Sequence, residues 1–147
     1  MTGALMNKID FLSVAIGDEL PALTKPPITR ATLSYFCGAS NDHNPIHVDL
    51  DFARAAGKDD VFAHGMLGMA YMGQLLTNWV PQLAIVSFEV KFAAIVFVGD
   101  EITCRGVVSE RFEGEGGPYV RIKLKAVDQQ GEAKLSGEAI IRPFDLA

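Results

Sequence analysis

The sequence predicts an α+β domain in which an antiparallel sheet wraps around one long apolar helix, and three observations predict it. Residues 64 to about 79 are apolar nearly all round a helix, through Met66, Leu67, Met69, Ala70, Met72, Leu75 and Leu76. A surface helix shows one apolar stripe; a helix apolar on most sides is expected to be covered on most sides. Beyond Pro81 the apolar period drops to two, with Val86, Phe88, Val90 and Phe92 alternating with Ser87, Glu89 and Lys91, the mark of a strand with one wet face. The helix precedes a run of such strands, and a curved antiparallel sheet is the natural cover for it.

The remaining elements follow in order. Pro21, Pro26 and Pro27 exclude a helix from the first part of the chain, which reads as a short leader and an extended segment with a turn at Gly17-Asp18. Thr29 suits the cap of a helix over residues 30 to about 37, where Leu33, Phe36 and Cys37 fall at helical spacing and Gly38 is expected to end it. Residues 39–47 are polar and contain Asn44-Pro45, a loop signal. Asp49 then caps a short helix over residues 50–56, closed by Gly57. In the long helix Gly65, Gly68 and Gly73 lower the intrinsic propensity, which is tolerable where something packs close to the backbone, and Pro81 stops it. After the strand at Val86 come a weaker one over residues 101–110, one alternating through Val120, Ile122, Leu124 and Ala126, and one through Leu135, Gly137, Ala139 and Ile141. Turn signals at Gly99-Asp100, residues 114–118 and residues 129–131 separate them, so a four-strand meander is expected.

A chain of 147 residues, 49% hydrophobic and 21% charged, fits one soluble domain with its own core rather than two domains or a disordered tract. The formal charge of −5 and the lack of a basic block argue against nucleic acid as a partner, although a few local cations suffice for a phosphate-bearing ligand. Cys37 and Cys104 are far apart and imply no disulfide framework, so a reducing, cytoplasmic setting is the default. Residues 1–10 lack the basic start and apolar run of a secretion signal, and no apolar run is long enough for a membrane span.

Candidate chemistry concentrates in Ser40-Asn41-Asp42-His43-Asn44-Pro45-Ile46-His47-Val48-Asp49. His43 and His47 have the spacing of a helical zinc pair, but Pro45 lies between them, the position after His43 is Asn44 rather than Glu, and no cysteine is near. No metal is therefore assigned. Asp, Asn and Pro are also ordinary turn residues, and that plain reading covers His43 as a solvated loop residue. The third reading is an acid–base pair: Asp42 and His47, five apart around an Asn-Pro bend, can face one pocket with apolar walls.

At this point the chain resembles a known family. Asp42-x-Asn44-Pro45-x-His47 is similar to the hydratase motif of MaoC-like and (R)-specific enoyl-CoA hydratases, and Phe36 to Asp42 before it and Phe52-Ala53 after it fit the same pattern. Ala63-His64-Gly65-Met66 resembles the start of that family's central helix, and Phe92 to Ile102, with Gly99-Asp100, its strand–turn–strand. Asn41 stands where the family often has glycine, and Ala94-Ile95 where it often has proline; neither change removes a reacting group. The resemblance implies a single hot-dog domain over residues 1–147, with a core of about 11–143.

It also implies a function: reversible hydration of a trans-2-enoyl thioester to an (R)-3-hydroxyacyl thioester, carried by coenzyme A or acyl carrier protein and needing no further cofactor. That reaction requires a base, an acid and an oxyanion site. Asp42 and His47 take the first two roles through a shared water, with the roles exchangeable. By the resemblance, the backbone N–H of Gly65 faces the thioester oxygen; close helix–sheet packing explains the same glycine equally well. His64 is given a packing role and no chemistry. Asn44, Gly73 and Leu76 complete the candidate substrate-binding set, Asn44 chiefly by fixing the loop and Gly73 by leaving room for an acyl chain. Lys91, Arg121, Lys123 and Lys125 read as a solvated sheet face, with a carrier phosphate as the alternative. A homodimer paired through uncovered strand edges is expected, or a heterodimer with a subunit lacking the motif. Two other functions stay open: a hot-dog thioesterase, which would typically place an acid on the central helix, and a non-catalytic acyl-thioester-binding subunit.

Overall fold

The computed structural model describes residues 13–144. The reading of residues 1–10 lies outside them. The chain runs through β1 (Leu23–Thr24), α1 (Arg30–Ser40), a 3-10 turn (Pro45–His47), α2 (Leu50–Ala55), α3 (Gly65–Trp79), a second 3-10 turn (Gln82–Ala84), β2 (Ile85–Phe92), β3 (Thr103–Gly114), β4 (Gly117–Val127) and β5 (Ala133–Ile141). The caps named from sequence hold. Thr29 Oγ1 accepts from Thr32 N at 3.0 Å, and Asp49 Oδ1 accepts from Asp51 N and Phe52 N at 3.0 and 3.1 Å.

One helix end differs. α1 runs through Gly38 to Ser40 and stops at Asn41, whose φ of 60° and ψ of 18° put it in the left-handed region. Asparagine enters that region more readily than most side chains, so it does the work expected of the glycine three residues earlier. The turn into the polar loop is thus made by Asn41 itself.

The sheet has the order β1-β3-β4-β5-β2, with every pairing antiparallel. Three strands form the expected meander, but β2 does not pair with β3. It lies on the far side of β5, with Ile85 opposite Ile141 and Phe92 opposite Leu135. Tight turns after Gly114 and around residues 128–132 join β3 to β4 and β4 to β5. The link over residues 93–102 is too long for such a turn and is tied elsewhere. Ala93 N and Ala94 N donate to Lys134 O, Phe97 bridges to Phe62, and Gly99 N donates to Ile28 O. Period-two patterning identifies strands but not their neighbours, so the meander expected over four strands holds for three.

α3 lies on the sheet and buries Leu67, Gly68, Met72, Leu75 and Leu76. An ideal Cβ on Gly68 would come within 2.7 Å of Leu135 Cδ1, so glycine there lets the helix sit close to β5. The expectation of burial on most sides is corrected: within one chain Met66 and Ala70 face outward, Met66 with 53% of its surface exposed. The sheet covers one side of the helix only. On the outer face of the sheet Arg121 is held by Glu110 and Glu138, while Lys91, Lys123 and Lys125 are exposed.

Sequence patterning gave no hint of one feature. Lys134, at the start of β5, has a side chain only 2% exposed, with its Nζ 3.2 Å from Asp128 Oδ2, 3.6 Å from Asp100 Oδ2 and bonded to Glu132. It also lies 5.5 Å from the Phe97 ring centroid. A buried ammonium needs such company.

Candidate active site

The polar loop is braced locally. Asp42 Oδ1 accepts from Asn44 N at 3.2 Å, and Asn44 Oδ1 accepts from Ile46 N at 3.1 Å to cap the 3-10 turn that carries His47. Asn44 therefore fixes the loop; Pro45 opens the turn, where its missing N–H costs nothing. His43 is exposed and stands apart.

His47 is fixed from outside the loop. Its Nδ1 lies 2.7 Å from Phe62 O. A carbonyl only accepts, so Nδ1 carries the proton, and in the neutral ring Nε2 holds the free lone pair. The segment bearing Phe62 is itself anchored: Arg30 forks onto Asp60 at 3.1 and 2.9 Å, and Asp60 Oδ1 accepts from Val61 N at 2.7 Å. The Arg30 hydrogen bond, foremost, holds the Asp60 carboxyl below its ordinary pKa.

Asp42, His47 and His64 each bring one carboxylate oxygen or ring nitrogen within 4.8 Å of the others. Two hydrogen bonds of about 2.8 Å meeting at a tetrahedral water span about 4.6 Å, so one water can bridge such a pair. His47 is half-buried, with Phe62 edge-on at 5.1 Å, whereas Asp42 is exposed in the single chain, so the apolar walls enclose the imidazole and not the carboxylate. Three ligand-type atoms this close could also be asked to hold a cation. The His47 and His64 rings, however, are stacked at 4.0 Å and 28°, which aims their in-plane lone pairs side by side rather than at one point.

His64 is the residue that the sequence reading passed over. It immediately precedes α3, makes no side-chain cap, and is 1% exposed. Its Nε2 lies 3.1 Å from Asp42 O and so donates to it, leaving the lone pair on Nδ1, which is buried without a partner among the described residues. Burial holds its pKa below the ordinary imidazole value, against the hydrogen bond to Asp42, and keeps the ring neutral. The available signal was a histidine where Ser, Thr, Asp or Asn would normally cap a helix.

Gly65, the first residue of α3, borders a cavity of about 320 Å³ lined also by Phe62, Phe92, residues 93–96 and Leu135. A Cβ on Gly65 would stand 3.1 Å from the Phe92 ring, so close packing is part of its role. The first N–H groups of a helix lack intrahelical partners and carry partial positive charge, so this end of the cavity suits a developing oxyanion. Gly73 and Leu76 do not border it: Leu76 is fully buried in the core, and Gly73 faces Phe88, with ordinary room for a Cβ at 3.6 Å.

Comparison with known proteins agrees with this architecture. The family model described as the MaoC like domain matches residues 11–130. The (R)-specific enoyl-CoA hydratase of Aeromonas caviae is 29% identical over 114 residues, covering 76% of this chain and 84% of that protein. A solved (R)-hydratase from A. caviae, described as involved in PHA biosynthesis, superposes with a TM-score of 0.75 at 28% identity, over 88% of this chain and 97% of its own. R-hydratase PhaJ1 from Pseudomonas aeruginosa superposes with a TM-score of 0.78 at 25% identity, over 92% and 90%. With a curled antiparallel sheet on one long helix, and the Asp42–His47 loop beside the start of that helix, the chain belongs to the MaoC-like domain family and has its hot-dog fold.

Proposed function

We propose that this protein is a hydro-lyase that adds water reversibly to a trans-2-enoyl thioester, giving an (R)-3-hydroxyacyl thioester. The observation that carries the reading is the approach of Asp42 and His47 to within 4.8 Å, with His47 Nδ1 committed to Phe62 O and Nε2 left free to accept. A water between the two gives one hydrogen to each and turns a lone pair toward Cβ. Asp42 takes its proton as the O–Cβ bond forms. The C=C electron pair moves to the thioester oxygen as an enolate facing the Gly65 N–H, and collapse of the enolate returns that proton to Cα. His47 holds the water's remaining hydrogen throughout; because only the water's own proton moves, the two groups can exchange roles without altering the balance. The named hydratases among its relatives support the same chemistry.

The thioesterase alternative is disfavoured because α3, Gly65–Trp79, contains no acidic residue. In the proposal the carrier is coenzyme A or acyl carrier protein, no further cofactor takes part, and the setting is cytoplasmic; among the described residues no helix is long and apolar enough to cross a membrane. The working unit is a homodimer, or a heterodimer with a motif-lacking subunit. β2 is an edge strand with Val86 and Phe92 about half exposed, an open ladder suited to a second chain.

Mixing the protein with crotonyl-CoA and a longer enoyl-CoA tests the reading. Loss of the enoyl-thioester absorbance without free thiol is expected. Thiol release would replace hydration by hydrolysis, and silence in both assays would leave a binding role or a missing partner subunit. Gly73→Ala carries a second expectation. Its Cβ has room, so the variant should gain up to about 1 kcal/mol from helix propensity. If acyl chains run along α3, its turnover of long over short substrates should fall; an unchanged ratio removes Gly73 from the acyl path.

A further inference from the structure

Three reacting elements converge at this site from different parts of the chain: the Asp42 loop, the 3-10 turn carrying His47, and the first turn of α3 with Gly65. One side chain touches or adjoins all three. His64 donates through Nε2 to the Asp42 carbonyl, lies flat against His47, and is the residue before Gly65. Phe36 backs it edge-on at 5.1 Å.

The bonds made by the loop itself do not replace it. At Asp42 the main-chain N also donates to Ser40 Oγ and Oδ1 accepts from Asn44 N, each two residues away, and these fix the shape of the loop without fixing its place relative to α3. His47 is otherwise held by its Nδ1 bond to Phe62 O and by the Phe62 ring edge-on at 5.1 Å, both from one residue. The stacked ring of His64 adds a contact with a second element, the start of α3, across the face of the imidazole. An orphaned Nδ1 in the interior is a cost that an all-carbon ring of similar size would avoid, so packing alone does not explain a histidine here.

We propose that His64 is the positioning residue of the hydration reaction: it sets the separation between the Asp42 carboxylate, the His47 imidazole and the Gly65 N–H. It acts through these groups and does not touch the substrate. The inference rests on the hydratase reading, and the experiment separates the two.

The wild-type protein, His64→Phe and His64→Gln are compared for melting temperature and for kcat and KM with the same enoyl-CoA. Phenylalanine keeps the ring and loses the donor; glutamine keeps a donor near the Nε2 position and loses the ring. His64→Phe is expected to fold with a melting temperature at or above wild type and to lose about 10²-fold in kcat with KM little changed, the size of effect that small misplacements of reacting groups produce. His64→Gln should recover about tenfold of that loss. Wild-type kcat in a folded His64→Phe protein would overturn the proposal. So would equal losses in both variants that track melting temperature, which would make His64 a packing residue only. A wild-type protein that releases free thiol instead of hydrating the enoyl-CoA would fail the hydratase reading instead.

Discussion

Asp42→Asn is expected to fold like the wild type and to lose about 10²–10⁴-fold in kcat, the usual worth of a general acid–base group. The local structure permits the change. Asn44 N bonds to an Asp42 oxygen at 3.2 Å, a bond an amide oxygen also accepts, and the Asp42 main chain keeps its bonds to Ser40 and His64. The side chain is exposed, so stability should move by no more than about 0.5 kcal/mol. An amide cannot take a proton from water at neutral pH, and that single loss is the whole effect. KM should stay near its wild-type value, because the interaction removed belongs to the transition state and not to substrate binding. Steady-state kinetics beside a melting curve checks it, and wild-type turnover from a folded variant would remove Asp42 from the chemistry.

The second large effect is on stability. Lys134→Met should lower the unfolding free energy by about 3 kcal/mol, since removing one partner of a buried ion cluster leaves the others uncompensated. Asp100 and Asp128, 8% and 7% exposed, would then face each other without a cation. Adding Asp100→Asn and Asp128→Asn to Lys134→Met should recover most of the loss, which mere loss of side-chain packing would not allow. The pH dependence has a defined sign. Burial opposes the charge on Lys134, but Glu132 and Asp128 outweigh it and raise its pKa; this stability is complete below the ordinary ammonium value and is lost as pH rises through the raised one. Burial likewise pushes Asp128 up, but the bonds from Glu132 N, Lys134 and Gln130 N outweigh it and leave its pKa lowered. Its share is complete above the ordinary carboxylate value and is lost as pH falls through the lowered one. The deficit of Lys134→Met should therefore shrink in acid, where the stranded Asp128 carboxylate becomes neutral, and denaturation curves at neutral and acid pH will show whether it does. Lys134 O also holds Ala93 and Ala94, and Asp100 Oδ2 holds Phe97 N at 2.8 Å, so the same cluster shapes the wall of the cavity beside Gly65.

What the sequence made legible was local. Caps at Thr29 and Asp49, the long helix ending before Pro81, and the period-two strands are written in neighbouring residues. Asp42 and His47 are five apart on a bend and were found for that reason. His64 stands 22 residues from Asp42, and only the packing of α3 against the loop brings them together. The partner of β2 was illegible on the same ground: alternation marks a wet and a dry face and is silent about which strand lies alongside. Lys134 and its carboxylates read as ordinary turn and surface residues until the link over residues 93–102 is folded across them.

The placement of β2 beside β5 has a consequence for how the molecule is made. β2 leaves the ribosome before β3, β4 and β5, yet its ladder partner is the last strand of the sheet, with Ile85 opposite Ile141. α3 depends on the same late strand, through Gly68 against Leu135. Until β5 emerges, an apolar helix and an open strand edge wait together in the nascent chain, a combination prone to association with other chains. Closure of the core waits for the last strand of the sheet, and β1 against β3 adds a still longer-range pairing, Leu23 opposite Cys104, so the folding rate is set by topology more than by the strength of any single element.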